Sequence, residues 1–106
     1  SEETGVAARF DEPIHDFVAD AVFYSNSPVA VVLASTKERL LEAELMWSTL
    51  QRHEQAIGVI AVIESQEKVG RAESERAGFY TTKVFPYKGH MGMMREALIS
   101  QVSRQN

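Results

Sequence analysis

The chain of 106 residues contains no cysteine. That excludes a disulfide framework, thiol catalysis and any zinc site built on thiolates. It has three prolines and one tryptophan. Long apolar runs are missing too: none approaches the roughly 18 residues that a membrane span needs. Net charge is −4, so the basic face expected of a nucleic-acid binder is absent. Glu2 and Glu3 do not make the basic start of a secretory signal, and cytoplasm is the expected location. No H-E-x-x-H, P-loop, G-x-G-x-x-G or G-x-S-x-G occurs.

What is present is ordinary globular material, 44% hydrophobic and 25% charged, enough for one domain over 1–106 with a single core. Its most informative stretch is Ile57-Gly58-Val59-Ile60-Ala61-Val62-Ile63-Glu64-Ser65. A strand exposed on one face alternates; this run is apolar or Gly at seven of its first eight positions, stops at a carboxylate and a hydroxyl, and is short for a helix and rich in β-branched residues. It reads as a central parallel strand covered on both faces. Val29 to Ala34 reads the same way.

Around these two strands the other elements fall into an alternating order. Residues 1–10 are a frayed tail or a short edge strand. Asp11 and Pro13 stand where an N-cap and first turn would, and Ile14, Phe17, Val18, Ala21 and Val22 follow at helical spacing. Ser35 and Glu38 have capping-box spacing. The helix from about Lys37 to His53 carries Leu40, Leu41, Ala43, Leu45, Met46, Trp47 and Leu50, more than one stripe, so it lies deep or offers a second face to a partner. A polar helix over Gln66–Ala77 is weakened by Gly70 and closed by Gly78. Phe79–Phe85 reads as a strand near an edge, and Met91–Ser103 as a last helix with Met94, Ala97, Leu98 and Val102 on one face. The expected fold is α/β: a three-layer αβα sandwich around a small, mostly parallel sheet of three to four strands, flavodoxin-like.

In such a sheet, ligands collect at the carboxyl ends of the strands, where strand order reverses. Ser35, Thr36, Ser65, Lys88 and His90 fall there and form a candidate anion site, two of its members at helix starts. The commoner use of such hydroxyls is capping alone. Glu12, His15 and Asp16 share one or two turns of the expected first helix and offer metal-type ligands, although acidic first turns are ordinary dipole chemistry; no metal or other cofactor is expected. Ser35 has no base partner, so nothing favours catalysis. Trp47, Met91 and Met93 form a candidate contact face, core filling being the commoner use of such residues.

From residue 57 to 103 the chain resembles the second half of a response-regulator receiver domain. The resemblance lies in Val59-Ile60-Ala61-Val62-Ile63-Glu64-Ser65, Ala77-Gly78-Phe79, Thr82-Lys83-Val84-Phe85-Pro86 and the helix from Met94 to Val102. It implies that Ser65 matches the switch hydroxyl and Lys83 the phosphate-contacting lysine. The phosphoacceptor Asp is missing, Ala34-Ser35 standing in its place. Ala61 to Phe85 with Lys88-Gly89-His90 is similar, more weakly, to effector sensors of the PII type. The resulting expectation is a non-enzymatic regulatory or protein-interaction module, a degenerate receiver acting through a protein partner or self-association. The alternative is a sensor that binds an anionic metabolite or nucleotide at the strand ends.

Overall fold

The computed structural model describes residues 7–24, 26–63 and 65–86. They form a five-stranded sheet in the order β1-β2-β3-β4-β5, with three helices. The strands are β1 (Ala7–Ile14), β2 (Phe17–Tyr24), β3 (Val29–Ala34), β4 (Gly58–Ile63) and β5 (Lys83–Pro86); the helices are α1 (Lys37–Arg52), α2 (Gln66–Val69) and α3 (Arg71–Ala77). The two apolar runs pair in parallel and in full register, from Val29↔Gly58 to Ala34↔Ile63. β5 adds in parallel beside β4.

The first third of the chain departs from expectation. Residues 11–22 are no helix but most of an antiparallel hairpin, β1–β2, closed by His15 and Asp16. Five of the eight residues of Phe17-Val18-Ala19-Asp20-Ala21-Val22-Phe23-Tyr24 are aromatic or β-branched, which favours the extended form. Because β2 is apolar on both faces, its apolar positions mimic helical spacing. Pro13, placed in sequence at a helix start, sits instead on an edge strand, where its missing N–H costs no ladder bond. The sheet is therefore mixed and has five strands rather than three or four, and the first two connections are turns rather than helical crossovers.

β2 changes its manner of pairing half-way along. Its ladder to β3 runs only from Phe23↔Val29 to Ala21↔Val31. Beyond that point the Asp20 carboxylate accepts the Leu33 N–H at 2.7 Å, and it also accepts Arg39 Nη2 from the first turn of α1 at 3.0 Å. Arg39 Nη2 donates to the Val18 carbonyl as well, at 2.8 Å. One side chain thus stands in for a ladder bond and pins α1 to the sheet. Opposite it, Asp11 has φ +51. Across this interruption the facing of β2 inverts: Ala19 joins the cluster beneath the helices, whereas Ala21 lies on the other face.

Both helical crossovers, β3–α1–β4 and β4–α2–α3–β5, step the same way across the sheet. Crossovers of one hand that step one way put their helices on one face. Accordingly Leu40, Ala43, Met46 and Leu50 of α1, Val69 of α2 and Ala77 of α3 share a single core cluster with Val22, Ala30, Val32, Ala34, Val59, Ala61 and Ile63. The opposite face carries Ala21, Phe23, Val31, Ile60 and Val62, and no helix residue among the described ones belongs to that cluster. The expected last helix, Met91–Ser103, lies outside the described residues.

The helix ends differ in detail from the sequence reading. α1 is capped by Thr36, whose hydroxyl accepts the Arg39 N–H at 3.1 Å; Ser35 is the bend that leaves β3, so the Ser35–Glu38 box does not form. The helix expected over 66–77 is split at Gly70, φ +92, a conformation open mainly to glycine. Two threonines set the start of β5: Thr81 Oγ1 donates to the Ala77 carbonyl at 2.6 Å, and Thr82 Oγ1 accepts the Val59 N–H at 2.9 Å. They consume residues 79–82, which shortens the strand expected over 79–85.

Replacing Asp20 tests the bridge. Asp20→Ala leaves the Leu33 N–H and Arg39 without this acceptor and is expected to cost about 2 kcal/mol. Asp20→Asn, which keeps an acceptor but no charge, should lose about half as much. Urea unfolding midpoints measure both, and an unshifted midpoint for Asp20→Ala would refute the assignment.

Candidate interaction face

Ser35, Thr36 and Ser65 do emerge side by side, since β3 and β4 are adjacent and end in register. The Thr36 and Ser65 hydroxyls are both engaged in capping, Ser65 Oγ accepting the Lys68 N–H at 3.2 Å. α2, which Ser65 opens, is only four residues long. Lys88 and His90 lie outside the described residues, as do Met91 and Met93. The strand order of the described sheet has no reversal, so the crevice formed at a reversal is not built by these strands. Lys83 pairs with Ile60, five residues before Ser65, which sets the two receiver-like positions roughly 16 Å apart along the strands.

Of the side chains weighed as metal ligands, Glu12 and His15 serve other contacts, and Asp16 sits in the hairpin turn. Glu12 accepts the Tyr24 hydroxyl at 3.0 Å. The His15 ring stacks on His53 at the end of α1, with centroids 4.6 Å apart and planes 18° apart, and its Nε2 lies 2.5 Å from Gln55 Oε1. Among the described residues no group of three or more potential ligands could hold a metal ion. A hollow of about 360 Å³, lined by Gln51, Glu54, Gln55, Ala56, Ile57 and Gly58, lies at the opposite end of the sheet from Ser35 and Ser65.

The surface that stands out is the outer side of the helical layer. Leu41 is 43% exposed and Leu45 47%, one turn apart on α1. Tyr80, 48% exposed, and Phe79, 79% exposed, follow α3. Between α1 and α3 run two grooves: one of about 210 Å³ lined by Glu44, Leu45, Ser48, Arg76 and Tyr80, and one of about 230 Å³ that includes Lys37, Leu41 and Glu73. Glu44 and Arg76 line both. Glu44, only 6% exposed, accepts Arg76 Nη2 at 2.9 Å and Nε at 3.2 Å through one oxygen. That pair ties α3 to α1 and fixes the wall of the grooves.

Trp47, expected on a contact face, is half-buried and packs against the core cluster beneath the helices. The crowding of apolar residues on 37–53 signals a second face in the sequence. Which leucines it uses follows from the phase of the helix on the sheet, and Tyr80 enters only through the turn that follows α3. No protein-family model, curated protein or solved structure matches this chain. No helix among the described residues is long and apolar enough to cross a membrane.

A buried carboxylate that loses its cation is costly, although here the arginine is half exposed, which moderates the loss. Arg76→Met is expected to destabilise by roughly 1–2 kcal/mol. Glu44→Gln combined with Arg76→Met should recover most of that. A double-mutant cycle in denaturant measures the coupling, and additive losses would contradict it.

Proposed function

We propose that the chain is a non-enzymatic protein-interaction module whose contact surface is the outer ridge of α1 together with the turn after α3. The observation that carries this reading is the exposure of Leu41, Leu45 and Tyr80 along two grooves that share the Glu44–Arg76 pair, with Phe79 exposed next to Tyr80 in the chain. Apolar residues grouped beside polar neighbours mark interaction sites more often than isolated ones do, and aromatic side chains are enriched in interface cores. A regulatory, receiver-like role belongs to the same reading, because a receiver without its phosphoacceptor would act by contact. So does a third layer: Val31 and Val62, on the face away from the described helices, are fully buried, as a covering layer on that face would make them.

Photocrosslinking tests the surface directly. A photoreactive phenylalanine analogue at position 45 or 80 is expected to give a higher-mass adduct, whereas one at position 11, on the far edge of the sheet, gives none. Leu45→Glu, at an exposed position and thus expected to shift stability by no more than about 0.5 kcal/mol, should abolish the adduct formed from position 80. Absence of any adduct from 45 and 80 would end this reading.

A further inference from the structure

The ridge of α1 has a spacing and a charge order of its own. Glu38, Leu41, Leu45, Ser48 and Arg52 follow one another at intervals of 3, 4, 3 and 4 residues. At about 100° per residue they fall within an arc of roughly 80°. That arc faces away from Leu40, Ala43, Met46 and Leu50, which are buried against the sheet. The interval is that of a two-helix seam. Its ends carry opposite charges, Glu38 at the amino end and Arg52 at the carboxyl end.

These two charges cannot meet in one molecule. Fourteen residues of helix hold them roughly 21 Å apart. Glu38 has no ion-pair partner among the described residues, and Arg52 makes one long contact, 3.4 Å to Thr49 Oγ1. Of the neighbouring charges, Arg39 is bound to Asp20 and Glu42, and Glu44 to Arg76, while Lys37 lines the groove between α1 and α3. An apolar stripe with an unsatisfied anion at one end and a loosely held cation at the other is complementary to its own reverse.

We infer that the partner of this ridge is a second copy of the chain, with the two α1 helices packed antiparallel across a two-fold axis at Leu45; this rests on the interaction-face reading above. In that arrangement Leu45 meets Leu45 of the other copy. Leu41 packs over the Ser48–Thr49 turn of the other copy, and Glu38 lies opposite the other copy's Arg52, twice by symmetry. A parallel pair would place Glu38 against Glu38 and Arg52 against Arg52, so charge selects the antiparallel form. Tyr80, beside Leu45 and Ser48, closes the flank of the seam. A seam with one Leu–Leu layer falls below the roughly 1,200 Å² of a stable interface. The dimer is accordingly weak and reversible.

Sedimentation equilibrium on the intact chain, from about 10 µM to about 1 mM, spans the affinities of such weak complexes. The wild type is expected to dimerise within that range, and less so as salt is raised. Glu38→Arg and Arg52→Glu alone should each weaken the dimer about tenfold, since the two-fold makes every reversal act at two places. The double reversal should return the dissociation constant to within a few-fold of wild type. Circular dichroism melts of the same variants establish that both exposed positions leave the fold intact. A strict monomer at 1 mM, or a dimer indifferent to the single reversals or not restored by the double one, would overturn the inference. An adduct from position 45 to a different protein, found with a strict monomer, would sink the self-pairing and leave the interaction face standing.

Discussion

The arrangement of this protein depends on the direction in which its parallel strands are added. β3, β4 and β5 are laid down one after another toward the same edge. Because strand–helix–strand crossovers share one hand, neither α1 nor α2–α3 can cross to the opposite side. The described helices therefore form a single layer, and two helices in one layer touch each other only along their flanks. α3, seven residues long, covers little of α1. A helix rich in leucine is left with an outer ridge that no described element of its own layer shields, and the candidate contact surface follows from that.

The antiparallel half of the sheet is joined by a different device. Asp20 ends the regular ladder between β2 and β3, and its carboxylate receives both a backbone N–H from β3 and a guanidinium from α1. Charge-assisted hydrogen bonds of this kind are stronger than the amide bond they replace. The hairpin is then held at two points: at Asp20 by α1's first turn, and at its tip, where His15 lies on His53 at the last turn. α1 acts as a clamp between the two halves of the sheet, which leaves its outward side as the only part of it with no internal duty.

The parallel centre was legible in the residues because Val29–Ala34 and Gly58–Ile63 are too short for helices and apolar at every position, a pattern with few other solutions. α1 was legible for the converse reason, being long, periodic and bounded. The hairpin was not. Phe17 to Tyr24 carries apolar residues on both faces, so it lacks strand alternation, and its apolar positions fit a helical period equally well; Pro13 is as acceptable on an edge strand as at a helix start. Local signals could place a cap near Ser35–Thr36 but not choose between two adjacent hydroxyls, a choice that depends on where β3 stops. Of the candidate site, the excess of leucine on α1 could be read directly. Tyr80 could not, because its position is set by Thr81 and Thr82 binding back to Ala77 and Val59.

The outer strands carry one more consequence. β1 holds Pro13 and a left-handed turn of backbone at Asp11, and β5 ends on Pro86. A strand lacking an amide hydrogen and bent out of plane offers a poor template for another chain to lengthen the sheet, so growth into fibrils is discouraged at both borders. A sheet blunted in this way can hold strands apolar on both faces, such as Gly58-Val59-Ile60-Ala61-Val62-Ile63, at its centre, where both of their edges are paired and cross-β stacking has no template.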